Sequence, residues 1–217
     1  MIDNFDQIRD ALVFDVTGMG YYFMEILARR KDFPPGADVK DHRVYGTYFI
    51  TSREMLDRIE PEVKLLCSLH NARAYINMSM KSLRTTTMLL MRGCLDMVEN
   101  SDYHRLPSRL ASAAGQCPGV KSFRRFLVDV DSRNIGDLDR VRGAVEKSGG
   151  EIVLQLETPG GWHLVTQPFN VGVFNENAKE DLAAGLVAIK HNSPTVLFYA
   201  GKDDGESGSG VSPERCR

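Results

Sequence analysis

The sequence predicts a mixed α/β (α+β) chain: an N-terminal α/β unit over residues 1–110, packed on a second unit over residues 121–200 with the order β-α-β-β-α-β. Residues 72–81 alternate apolar and polar with the period of a strand. Residues 55–67 and 138–145 space their apolar side chains as helices do. Glycine- and proline-rich breaks separate these runs.

Taken in order, Gly20-Tyr21-Tyr22-Phe23-Met24-Glu25-Ile26-Leu27 reads as a strand, followed by Arg29-Arg30-Lys31 and a Pro34-Pro35-Gly36 breaker. Val44–Ile50 is a second strand. Thr51-Ser52-Arg53-Glu54 then supplies a capping box, with threonine at the N-cap and glutamate three residues on. The helix it opens carries Met55, Leu56, Ile59, Val63, Leu66 and Cys67 on its apolar face, and Pro61 is expected to kink or split it. Along 72–81, Ala74, Ile76, Met78 and Met80 form a core face, and Arg73, Tyr75, Asn77, Ser79 and Lys81 a polar shelf. A helix follows over about Leu83–Val98. Residues 101–120 read as a connector with at most a short helix.

The second half reads as strand Phe126–Asp131, helix Asp137–Ser148, paired strands Glu151–Glu157 and Trp162–Phe169, helix Ala178–Leu186, and short strands Val187–Lys190 and Thr195–Tyr199. That is the order of ferredoxin-like and RNA-recognition-type folds, with one strand added. The tail 201–217, rich in glycine, serine and charge, is expected to be disordered.

Composition narrows the function. The chain has 217 residues, 42% hydrophobic and 26% charged, with a mean hydropathy of −0.26, the profile of a soluble globular protein. Its 27 basic and 29 acidic residues leave a net charge of −2, so any nucleic-acid surface must be local. Apolar runs are too short to span a bilayer, and an acidic N-terminus unlike a signal peptide points to an intracellular, cytoplasmic protein. Cys67, Cys94, Cys117 and Cys216 are too widely spread for a zinc or redox motif and read as free thiols.

Between Val63 and Leu95 there is no acid, while Lys64, Arg73, Lys81, Arg84 and Arg92 occur; this is either a local basic field or a set of solvated helix charges. From Tyr103 to Val128, Arg105, Arg109, Lys121, Arg124 and Arg125 again stand without acid, as cations suited to phosphate.

Two short motifs carry chemistry. In Phe126-Leu127-Val128-Asp129-Val130-Asp131 the two aspartates are two apart, so they project to one side of a buried strand's end. Paired carboxylates repel, and a hard divalent cation relieves the repulsion; the plainer alternative is a pair of turn and capping aspartates beside Arg133. In Thr158-Pro159-Gly160-Gly161-Trp162-His163 a tight turn with exposed amides precedes a histidine at a strand start, suited to phosphate. The alternative is a half-buried sheet histidine.

Asp129-x-Asp131 followed by Gly161-x-His163 resembles motifs I and II of the archaeo-eukaryotic primase superfamily, over residues 121–200 and more loosely over the first half. The resemblance implies an α/β unit packed on an RNA-recognition-like unit. It also implies a metal-dependent primase-polymerase, a nucleotidyltransferase of DNA replication or repair that extends a primer on a template. Asp129 and Asp131 would bind magnesium or manganese, and His163 would contact the phosphates of a nucleoside triphosphate. Arg73, Lys81, Arg84 and Lys190 would neutralise phosphate on the nucleotide or on single-stranded or primed nucleic acid, with Tyr75 placed to stack a base. A replicative helicase is the partner the family implies.

The pattern departs at the third motif, where a later strand should supply an acid. Residues 187–191 offer Lys190 and His191 instead, leaving Glu157 or a carboxylate within 175–181 as substitute. The departure supports an alternative, a catalytically inactive nucleotide- or single-strand-binding module. Two enzyme rivals fit less well. An Asp-x-Asp phosphatase wants an early motif followed by a hydroxyl, and a two-histidine phosphoesterase wants two His-x-Thr/Ser triplets, of which only His191-Asn192-Ser193 is present.

Overall fold

A computed structural model describes residues 1–15, 17–33 and 42–201. The Pro34-Pro35-Gly36 breaker, Cys216 and the tail beyond residue 201 lie outside the described residues. Two antiparallel sheets and seven α-helices make up the described fold, confirming the mixed α/β class.

The larger sheet contains β1 (Ile2–Asp3), β2 (Gly20–Arg29), β3 (His42–Ile50), β4 (Arg73–Asn77), β5 (Lys81–Ser82) and, from the far end of the chain, β10 (Pro194–Tyr199), in the order β1-β10-β4-β2-β3 with β5 on β2. The smaller sheet has β6 (Phe126–Val130), β7 (Ile152–Glu157), β8 (Trp162–Thr166) and β9 (Val187–His191) in the order β7-β8-β6-β9. Since β8 lies between β6 and β7, the unit is a split β-α-β, as its element order predicts.

Helix α1 (Phe5–Ala11), which the sequence reading missed, and α2 (Arg53–Leu69) pack on the larger sheet through Phe5, Ile8, Leu56, Val63 and Cys67 against Met24, Ile26, Ala74 and Ile76. The cap of α2 is Ser52 rather than Thr51: its hydroxyl accepts from the Met55 amide at 3.2 Å. Pro61 does not split this helix, which runs unbroken through 17 residues. Helix α3 (Leu83–Asn100) pairs with α4 (Arg109–Gln116) across a turn at Tyr103–Ser108.

Alternation along β6 divides the smaller sheet's burden. Val128 and Val130 face α5 (Ile135–Lys147) and α6 (Val171–Asn177) through Leu138, Val141, Val145 and Phe174. Leu127, with Leu156 and Val165, joins the core of the larger sheet. The short α7 (Lys179–Ala183) follows α6, so the helix expected over 178–186 is two short ones, the first beginning earlier.

Two expectations need correction. The last strand, placed with the second unit, crosses back to pair with β4 and β1, so the two units share a strand and a core. The polar shelf on 72–81 is buried: Arg73, Tyr75, Asn77, Ser79 and Lys81 are each 6% exposed or less, because β10 and the connector cover them. The strand also breaks at Met78–Met80 into β4 and β5.

Candidate functional site

Antiparallel register puts directly opposed residues on one face of a sheet. In the smaller sheet Asp129 is opposed by His163 on β8 and by Ala188 on β9, which makes Lys190 its diagonal neighbour. The side chains meet accordingly. His163 Nε2 lies 3.1 Å from Asp129 Oδ1, and the Lys190 ammonium pairs with Asp129 Oδ2.

Burial alone would push the Asp129 carboxyl up, but hydrogen bonds and charge from His163 and Lys190 outweigh it and hold the group down at about 2. As a carboxylate Asp129 can only accept, so His163 Nε2 carries the proton of their bond. The other ring nitrogen, Nδ1, is 2.8 Å from the hydroxyl of Thr195, a fully buried residue of β10. His163 is therefore fixed from both sheets.

Asp129, His163 and Lys190 line a cleft of about 630 Å³ between the sheets, with Thr195 buried behind them. One wall presents Asp129, Asp131, His163 and Lys190, with Thr158, Pro159 and Gly160 at its lip. The opposite wall presents Leu27, Arg29, His42, Arg73 and Tyr75. Arg73 bonds Asp32 at 2.8 Å and stacks over Tyr199, and Arg29 stacks over Tyr75. Arg73 and Tyr75 also interact with each other, and the Arg73 Nε and Tyr75 hydroxyl are both buried away from solvent.

The turn before His163 explains its glycines. The Gly161 amide is taken by Thr158, 3.1 Å from its hydroxyl, rather than left exposed. A Cβ on Gly161 would lie 2.2 Å from the Val130 carbonyl oxygen and 2.5 Å from that of Ser132. Only glycine lets this turn lie against the end of β6, where Asp131 emerges.

Asp129, Asp131, His163, Lys190, Arg73 and Tyr75 thus share one cleft. Two predicted residues do not reach it. The Lys81 ammonium is fully buried between the Cys117 carbonyl at 2.6 Å and Asn192 Oδ1 at 3.0 Å, and burial lowers its pKa to about 8. Its duty is to tie the connector to β5 and the 191–194 turn. Arg84 lies exposed in the first turn of α3. The basic field over 63–95 also dissolves, since Lys64 is neutralised by Asp3 and Glu60 and Arg73 by Asp32.

Sequence reasoning missed Arg29, His42 and Thr195. Arg29 shares a strand face with Leu27 by simple alternation, a signal present in the sequence. Nothing local indicates that this face meets Asp129.

No third acid joins the aspartates. Among the described residues no group of three or more histidine, cysteine, aspartate or glutamate side chains is close enough to hold a metal. Glu157 opens onto a different depression beside Trp162, and Asp181 pairs with Arg140 on the helix-covered side. His191 packs edge-on to Phe126 and does not line the cleft. Two carboxylates remain, which suits magnesium or manganese arriving with phosphate oxygens rather than held in an all-protein cage.

No helix among the described residues is long and apolar enough to cross a membrane. No family model, curated protein or solved structure matches this chain.

Proposed function

We propose that the cleft binds a nucleoside triphosphate and that the protein is a primase-polymerase-like nucleotidyltransferase extending a primer on a nucleic-acid template. The observation that carries the reading is the meeting of Asp129 and His163 at 3.1 Å, with Asp131 and Lys190 on the same wall and Arg29 and Arg73 opposite. Two acids able to share a cation, an imidazole held in a fixed orientation and several guanidinium and ammonium groups suit a polyphosphate.

In this reading a primer 3′-hydroxyl attacks the α-phosphate, the new P–O bond forms as the bond to pyrophosphate breaks, and the hydroxyl proton passes to solvent. Asp129 and Asp131 would hold magnesium or manganese, which when bound supplies charge neutralisation for the attacking and leaving oxygens. His163, with both ring nitrogens engaged by Asp129 and Thr195, would hold the Asp129 carboxylate in place beside the phosphates. Lys190 and Arg29, both solvent-accessible, neutralise them. A replication helicase as partner rests on the family resemblance alone.

The binding-only reading keeps one specific support: both oxygens of Asp129 are engaged by His163 and Lys190, and no third carboxylate stands nearby. Template-dependent incorporation of labelled nucleotides, with magnesium or manganese, decides between them. Activity lost in both Asp129→Ala and Asp131→Ala supports the enzyme. Activity that survives both substitutions removes the metal assignment, and single-strand or nucleotide binding without incorporation favours the module.

A further inference from the structure

Neither oxygen of Asp129 is left unengaged. Oδ1 lies 3.1 Å from His163 Nε2, and Oδ2 is paired with the Lys190 ammonium. The two halves of that ion pair differ in freedom. The Asp129 side chain is 11% exposed and held by His163, whereas that of Lys190 is 44% exposed and reaches the carboxylate from an edge strand on a flexible stem. Among the described residues Lys190 has no other partner, and Asp131, two residues along from Asp129, has no ion pair.

Charge sets what the free protein accepts at this place. Arg73 is already matched by Asp32, and the two aspartates are balanced by Lys190 and by Arg29 on the opposite wall. A divalent cation arriving alone therefore meets no net negative charge and has to displace an ammonium from the carboxylate. A triphosphate changes the balance, because its oxygens offer that ammonium another anion. A part-exposed ion pair is a weak one, so the exchange costs little.

We propose that Lys190 is a tethered counter-ion that occupies the cation position at Asp129 in the free protein and yields it when a nucleoside triphosphate takes over the ammonium. The inference rests on the nucleotide reading above and adds a condition to it: Asp129 takes metal together with nucleotide and not before it. Lys190 thus has two successive partners, first the carboxylate and then the phosphates.

Binding of manganese ion alone, followed by loss of the free-ion electron paramagnetic resonance signal, tests this without turnover. The wild type should bind the ion weakly. Lys190→Met, which keeps the stem and drops the ammonium, should bind it roughly tenfold more tightly. The gain should vanish when Asp129→Asn is added, and Arg29→Ala, which removes an equal charge from the opposite wall, should show far less of it. In EDTA the same Lys190→Met protein should bind a nucleoside triphosphate severalfold more weakly; a merely structural defect would weaken both ligands. Lys190 is exposed, so circular dichroism of the variant should match wild type, and Lys190→Gln, which keeps a neutral donor beside Asp129, replaces it if the fold is lost. Manganese affinity equal in wild type and Lys190→Met, or improved as much by Arg29→Ala, overturns the proposal while nucleotide binding leaves the broader reading standing. So does nucleotide affinity indifferent to Lys190→Met. If neither protein binds manganese or nucleotide, that reading fails and the proposal with it.

Discussion

Asp129 concentrates the chemistry of the cleft in one residue. It is 9% exposed, paid for by an imidazole and an ammonium, and its carboxyl is held at about 2 against an ordinary 3.8. A carboxyl lowered by folding stabilises the native state above the unfolded value, and that contribution fades as pH falls from 3.8 toward 2. Asp129→Asn should therefore cost about 2 kcal/mol at neutral pH, somewhat trimmed by solvent around the half-exposed Lys190, and nearly nothing near pH 2. Urea unfolding of both proteins at several pH values checks this; a constant difference across the window would dissociate the ion pair from stability. The pair Asp129-x-Asp131 and the Gly161-x-His163 signal were both legible in the sequence, because strand alternation fixes which side chains share a face. Lys81 was misread for the same reason: alternation assigns a face, but not whether that face meets water.

At the level of elements, the turn between β7 and β8 is the part most sensitive to a single carbon atom. A methyl on Gly161 would collide with backbone at the end of β6, which cannot step aside, whereas a methyl on Gly160 would come only to 3.2 Å of the Asp131 carboxylate, which can rotate. Gly161→Ala is expected to cost more than about 2 kcal/mol and to displace His163 from Asp129, while Gly160→Ala should cost under about 1 kcal/mol. Thermal unfolding, with nucleotide binding followed in parallel, separates the two; equal effects would mean that the turn does not anchor β8 to β6. Most elements were readable from periodicity and caps, including the β-α-β-β-α-β order. Helix α1, only seven residues, has too few turns to show a period, and the break after Asn77 arises where the Asn77 side chain accepts the Ser79 amide at 2.9 Å, ending the strand locally.

For the whole molecule, β10 and the shared core argue against two separable domains. β10 pairs with β4 and β1, its Thr195 holds His163, and Leu127, Leu156 and Val165 of the smaller sheet pack into the larger sheet's core. Unfolding should accordingly be one transition, with coincident midpoints for backbone circular dichroism and for fluorescence of Trp162, the single tryptophan, which lies in the smaller sheet. Two separated transitions would show that the sheets fold independently. By itself the sequence determined the fold class, the element order of the second half, and the proximity of Asp129, Asp131 and His163, because these follow from local periodicity and from pairing between strands close in the chain. Only the tertiary structure decided that β10 belongs to the first sheet, that Lys81 is interior, and that Arg29 and Arg73 face the aspartates. Those outcomes depend on how two sheets bury apolar area against each other across most of the chain's length, and burial of that kind is non-directional and leaves no local mark on the residues it brings together.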